Sequence, residues 1–158
     1  AARPKVTIAE RHLLELLTYD PALRDTVVPI IEPRDYEHLA TAELFAAFIA
    51  IHSSGGDIGP EELMEHLGDD EDMLNAAHQI LQSARPRGDV PVDRVLRDAE
   101  NCVFALRNMA IAHRVGEISR EASLATQSGN PKLANQLAAE QLELEKIRRD
   151  LQQRIKEL

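Results

Sequence analysis

Tryptophan is absent from this chain, and aromatic residues make up only 3% of its 158 positions. The core must therefore be built from Leu, Ile, Val and Ala, side chains that suit helix-on-helix packing. The same scarcity leaves few flat surfaces on which single-stranded bases could stack. One cysteine, Cys102, excludes an internal disulfide and a thiolate cluster for zinc. With no signal peptide and no long apolar run, the chain reads as cytoplasmic and without membrane association. Glycine (seven) and proline (eight) are few, and they fall mostly in short clusters that punctuate longer apolar-periodic stretches. What remains is 44% hydrophobic and 28% charged, enough to bury a core in one domain or one domain with a small appendage. The opening Ala-Ala-Arg-Pro, without Met, suggests a piece of a longer protein.

Charge is unevenly spread. Residues 1–91 hold 7 Lys and Arg against 17 Asp and Glu, a net of −10; residues 92–158 hold 11 against 10, a net of +1. An acidic body repels phosphate backbones and lacks the basic patch that releases counterions on binding, so direct binding of nucleic acid is not expected.

The punctuation predicts an all-α fold. Thr7 and Glu10 have the S/T-x-x-E spacing of a capping box, and Ile8, Leu13, Leu14, Leu16 and Leu17 supply a buried stripe behind it. Asp20-Pro21 reads as an N-cap followed by proline at the first helical position of a short helix, which Pro29 and Pro33 interrupt. A loop through Asp35 and Tyr36 leads to a helix from about Thr41 carrying Leu44, Phe45, Phe48 and Ile49, stopped by Ser53-Ser54-Gly55-Gly56. Pro60 opens the next, with Leu63, Met64 and Leu67 inward and Gly68 at its end. The acids Asp69 to Asp72 begin another, with Met73, Leu74, Ala77, Ile80 and Leu81 on its apolar face. Residues 84–91 form a loop. From Val92 to Gln127 there is no proline and a single glycine, Gly116, which predicts one helix of roughly 54 Å at 1.5 Å per residue. Gly129-Asn130-Pro131 is a turn with Asn130 as N-cap, and a final helix carries Leu133, Leu137, Leu144, Ile147, Leu151, Ile155 and Leu158 along one seam. The expected organisation is a bundle over 1–91 and a long helix with a C-terminal helical hairpin over 92–158.

Chemistry is hard to find in this pattern. No His-Glu-x-x-His, no Glu-x-x-His of the di-iron bundles and no calcium-loop alternation of acids occurs. Glu62 with His66 and Asp35 with His38 read as solvated pairs on exposed faces, and His113 as a partly buried packing residue. Cys102, mid-helix beside Val103 with Asp98 one turn before it, reads as a packing cysteine rather than a nucleophile. Gly55-Gly56-Asp57-Ile58-Gly59 lacks the Lys-Ser/Thr ending of a phosphate-binding loop and has an acid at its centre. No catalytic residue, cofactor or metal ligand is expected.

The order of the pieces is informative. Ala9-Glu10-Arg11-His12-Leu13-Leu14-Glu15-Leu16-Leu17 resembles the opening helix of the helicase-interaction domain of DnaG-type bacterial primases. Ile31-Glu32-Pro33-Arg34-Asp35-Tyr36 and Ala42-Glu43-Leu44-Phe45-Ala46-Ala47-Phe48-Ile49 are similar to that domain's next segments, and the likeness of order and pattern extends over residues 7–158. The resemblance implies a small bundle, a long helix and a terminal hairpin that docks on the N-terminal domains of the hexameric replicative helicase. Primer synthesis would lie in other domains of such a primase. The N-terminal domain of the helicase itself is similar in plan, although a glycine typically follows its first Leu pair where this chain has Glu15. A small helical enzyme or metal-binding bundle is the other alternative, opposed by the missing ligand spacings.

Partner contacts are expected in the hairpin, which is nearly neutral while the body is acidic. Ile118, Leu124, Leu133, Leu137 and Leu144 offer more apolar side chains than one two-helix seam hides, and Arg114, Arg120, Lys132, Arg148 and Arg149 are placed to rim the contact and guide encounter. The same apolar residues could instead close the hairpin on itself. Their surplus also admits weak self-association.

Overall fold

A computed structural model describes residues 5–157, and among them the fold is all-α: eight helices and no strand. Residues 1–4 and Leu158, which the sequence places at the end of the seam, lie outside the described residues. The chain forms two compact units that divide between Leu106 and Arg107.

In unit 1, α1 (Ile8–Leu17) starts on a complete capping box: the Thr7 amide donates to Glu10 Oε1 at 2.5 Å and the Glu10 amide to Thr7 Oγ1 at 3.2 Å. The second carboxylate oxygen of Glu10, which is wholly buried, accepts from the amide and the hydroxyl of Thr41. One side chain thus satisfies orphan donors ahead of two helices, α1 and α4 (Ala42–Ser53). Leu13, Leu14 and Leu17 form the buried stripe, but Ile8 is exposed, because the first helical residue precedes the turn that the cap seals.

Asp20 caps α2 (Pro21–Val27) by accepting from the Leu23 amide, and Val28–Ile30 adds a turn of 3-10 helix. Arg24, only 2% exposed, uses its guanidinium to close the end of α1: Nη1 donates to the carbonyls of Leu17 (2.9 Å) and Thr18 (3.0 Å). Its Nε donates to His52 Nδ1 at 3.3 Å, while His52 Nε2 lies 3.0 Å from Asp25. The expected loop at Asp35 and Tyr36 is instead a helical turn, α3 (Pro33–Tyr36). Proline at the first helical position needs no N–H partner, and the Asp35 carboxylate accepts from the Glu32 amide at 2.8 Å. The Tyr36 ring stacks on Phe45 with centroids 5.6 Å apart.

α4 buries Leu44, Phe45, Ala47, Phe48 and Ile51 and is apolar around much of its circumference, the mark of a central helix. It packs on α5 (Pro60–Leu67) and α6 (Glu71–Ser83), which also pack on each other. Ser83 donates to Glu15 at 2.7 Å, tying α6 to α1. Met64, expected inward, is 59% exposed. The long helix α7 (Val92–Gln127) is continuous as predicted, and it contributes Val95, Ala99, Cys102, Val103 and Leu106 to the buried residues of unit 1. That spacing is one helical face, so the packed body extends beyond residue 91.

Candidate partner-binding hairpin

Unit 2 contains the last turns of α7 and the whole of α8 (Pro131–Glu157). Three residues join them. The Asn130 amide donates to the Ala125 carbonyl (2.8 Å) and the Gly129 amide to that of Thr126 (3.1 Å), the paired bonds of a Schellman motif. Gly129 has φ +72°, a left-handed conformation that a side chain would strain. The Asn130 side chain then accepts from the Leu133 amide at 3.2 Å, so the residue that finishes one helix caps the next.

The two arms run antiparallel. Arg114 pairs with Glu140 and Asn108 with Arg148, so moving back along α7 moves forward along α8. Ile111, Ile118 and Ala125 on one arm and Leu137 and Leu151 on the other are buried, with Leu144 half-buried between them. Their seven-residue spacing is that of a coiled-coil seam. A second row at the same spacing holds Asn108, Val115 and Ala122 on α7 and Ala134, Gln141, Arg148 and Ile155 on α8, all partly buried. Arg148 Nε donates to Asn108 Oδ1 at 3.1 Å, a polar pair within this row that penalises slippage of one arm past the other.

This geometry divides the expected contact residues into those the hairpin consumes and those it presents. Ile118 and Leu137 are buried and close the hairpin; Leu144 is half-buried beside them. Leu124 and Leu133 flank the turn and are 62% and 40% exposed. The seam runs through Ala134 instead of Leu133, because Ala134 continues the spacing of Gln141, Arg148 and Ile155. Arg114 is already engaged: Nε and Nη2 hold the two Glu140 oxygens at 3.0 and 3.1 Å, and Nη1 reaches Glu121 at 3.2 Å. This pairing pushes the Glu140 carboxyl below its ordinary value and raises the guanidinium further. Arg148 is engaged with Asn108, whereas Arg120, Lys132 and Arg149 stand exposed. Sequence reasoning passed over Leu142 and Met109, both exposed outside the seven-residue rows; Leu142 interrupts a polar stretch, the signal that could have found it, whereas Met109 opens the apolar run to Ala112 and carries no such signal.

The other candidates stand apart. Cys102 is buried, and burial, followed by the charge of Asp98, raises its thiol to about 11. His113, expected partly buried, is exposed 4.0 Å from Glu117. At about 100° per residue its position falls on the face of α7 opposite the two buried rows. Glu62 and His66 are exposed, and Asp35 is spent on its cap. Among the described residues, no three His, Cys, Asp or Glu side chains gather as a metal ion requires, and no helix is long and apolar enough to cross a membrane. In comparisons with protein-family models, curated proteins and solved structures, nothing matches this chain.

Proposed function

We propose that this chain is the helicase-binding domain of a DnaG-type bacterial primase, a non-catalytic module that docks on the N-terminal domains of the hexameric replicative helicase in the cytoplasm during priming of DNA replication. The observation that carries the reading is the closed helical hairpin that still exposes Leu124 and Leu133 beside its turn. A hairpin whose seam is already filled has no internal use for these two leucines, and a groove on a partner would bury them. Exposed Arg120, one turn before Leu124, and Lys132, next to Leu133, provide the rim that guides encounter. The succession of bundle, long helix and hairpin supports the same reading through the resemblance of residues 7–158. On this view no cofactor, membrane or direct nucleic-acid contact is needed.

Calorimetric titration of the whole chain against helicase N-terminal domains tests it. Wild-type chain should bind, and the double substitution Leu124→Asp, Leu133→Asp should weaken binding by about tenfold or more while leaving the helical melt in place. Because Arg148 also holds the hairpin together, and Arg149 lies roughly 24 Å along α8 from Leu133, charge reversal at Lys132 is the cleaner rim variant. Absence of binding by the wild-type chain overturns the proposal, and capture of primase instead would make the chain the helicase's own N-terminal domain.

A further inference from the structure

The face of unit 1 made by α5 and α6 carries an open, mostly apolar groove of about 180 Å³, lined by Pro60, Leu63, Met64, Leu74, Ala77, His78 and Leu81. Leu63 and Ala77 are buried and form its floor, while Met64 stands exposed as one wall. The walls on α6, Leu74 and Leu81, are two turns apart, roughly 10 Å at 1.5 Å per residue, which matches the span of two anchors on a docked helix. Histidines apart, the charged residues around this groove are of one sign. From Asp57 to Asp72 the sequence has eight carboxylates and no Lys or Arg. Glu61 precedes Met64 by three positions and Glu71 precedes Leu74 by three, so both exposed carboxylates stand on the helix faces that form the groove's walls.

We propose that this groove docks a basic amphipathic helix of another protein, its apolar stripe on the Leu63–Ala77 floor and its Lys and Arg residues against Glu61 and Glu71. The charge excludes the obvious competitors: a second copy of this acidic unit would be repelled, and an uncharged apolar segment would leave the carboxylates without counter-charges. The lining residues all belong to unit 1, and the proposal does not rest on the helicase reading.

The test uses the whole chain and two labelled peptides of identical Leu and Lys content, one patterned to give a helix with a single apolar face and one scrambled. Fluorescence anisotropy should show the patterned peptide binding at least about fivefold more tightly. Met64→Glu separates groove from charge, since Met64 is exposed and the fold does not depend on it. If the apolar wall matters, the added carboxylate weakens the patterned peptide at least about fivefold; if charge alone acts, it strengthens both peptides. Equal affinity for the two peptides, or unweakened binding to Met64→Glu, overturns the proposal. So does sedimentation showing self-association that Met64→Glu abolishes, because the occupant would then be a second copy.

Discussion

Glu10 shows how much one side chain can hold. Its capping role follows from its distance to Thr7 in sequence, but its bond to Thr41, thirty-one positions on, is invisible to local spacing. Glu10→Ala leaves the Thr7 and Thr41 amides and the Thr41 hydroxyl without their acceptor, and should cost about 3 kcal/mol in urea unfolding, given the worth of charge-assisted bonds to buried donors. Cys102 invites a chemical test. Its folded thiol, raised to about 11 from an ordinary 9.0, stays protonated where an unfolded one ionises. This contribution to stability is therefore fully present below pH 9 and is lost as pH rises toward 11. A thiol reagent at neutral pH should label the native protein at least about a hundredfold more slowly than the unfolded chain, and comparable rates would refute the burial argument.

The two glycines of the hairpin give opposite expectations. At Gly116, in the middle of α7, an added methyl meets only the tip of Arg120 at 3.8 Å, so Gly116→Ala should stabilise unit 2 by about 0.5–1 kcal/mol. Gly129→Ala should destabilise it by about 1 kcal/mol, since the left-handed turn remains required. The Arg114–Glu140 pair is exposed, so a double-mutant cycle should find under about 1 kcal/mol, falling with added salt. Because the folded Glu140 carboxyl lies below its ordinary 4.5, that contribution is present at neutral pH and disappears only as pH falls through the lowered value. At this scale the sequence was most legible at element ends. Thr7, Asp20, Asn130 and the prolines act through neighbours within three positions, and α7 and the start of α8 lie where these signals put them. It was least legible on the faces. Helical spacing alone places the apolar Ile8, Met64 and Leu133 inward, but the partner helix decides which of several apolar residues is covered. The same reason divided the candidate site: Ile118 and Leu137 went to the seam, and Leu124 and Leu133 to the surface.

For the whole molecule, an all-α architecture in this order follows from composition and punctuation, while the division at Leu106 depends on where the buried face of α7 stops serving unit 1. A net charge of −9, with sparse aromatics, leads to the expectation that the chain does not shift single- or double-stranded DNA at micromolar concentration and physiological salt. A salt-sensitive shift would reveal a basic surface that outweighs the net charge. The aromatic poverty has an optical consequence as well. All five aromatic side chains, Tyr19, Tyr36, Phe45, Phe48 and Phe104, precede Arg107, and Tyr36 stacks on Phe45 inside unit 1. Tyrosine emission is therefore a private reporter of unit 1, whereas far-ultraviolet dichroism sums the helices of both units. Melting one sample with both signals needs no engineered probe: coincident curves would mean that the units unfold as one, and any separation between them would record the unfolding of a hairpin that is itself dark in fluorescence.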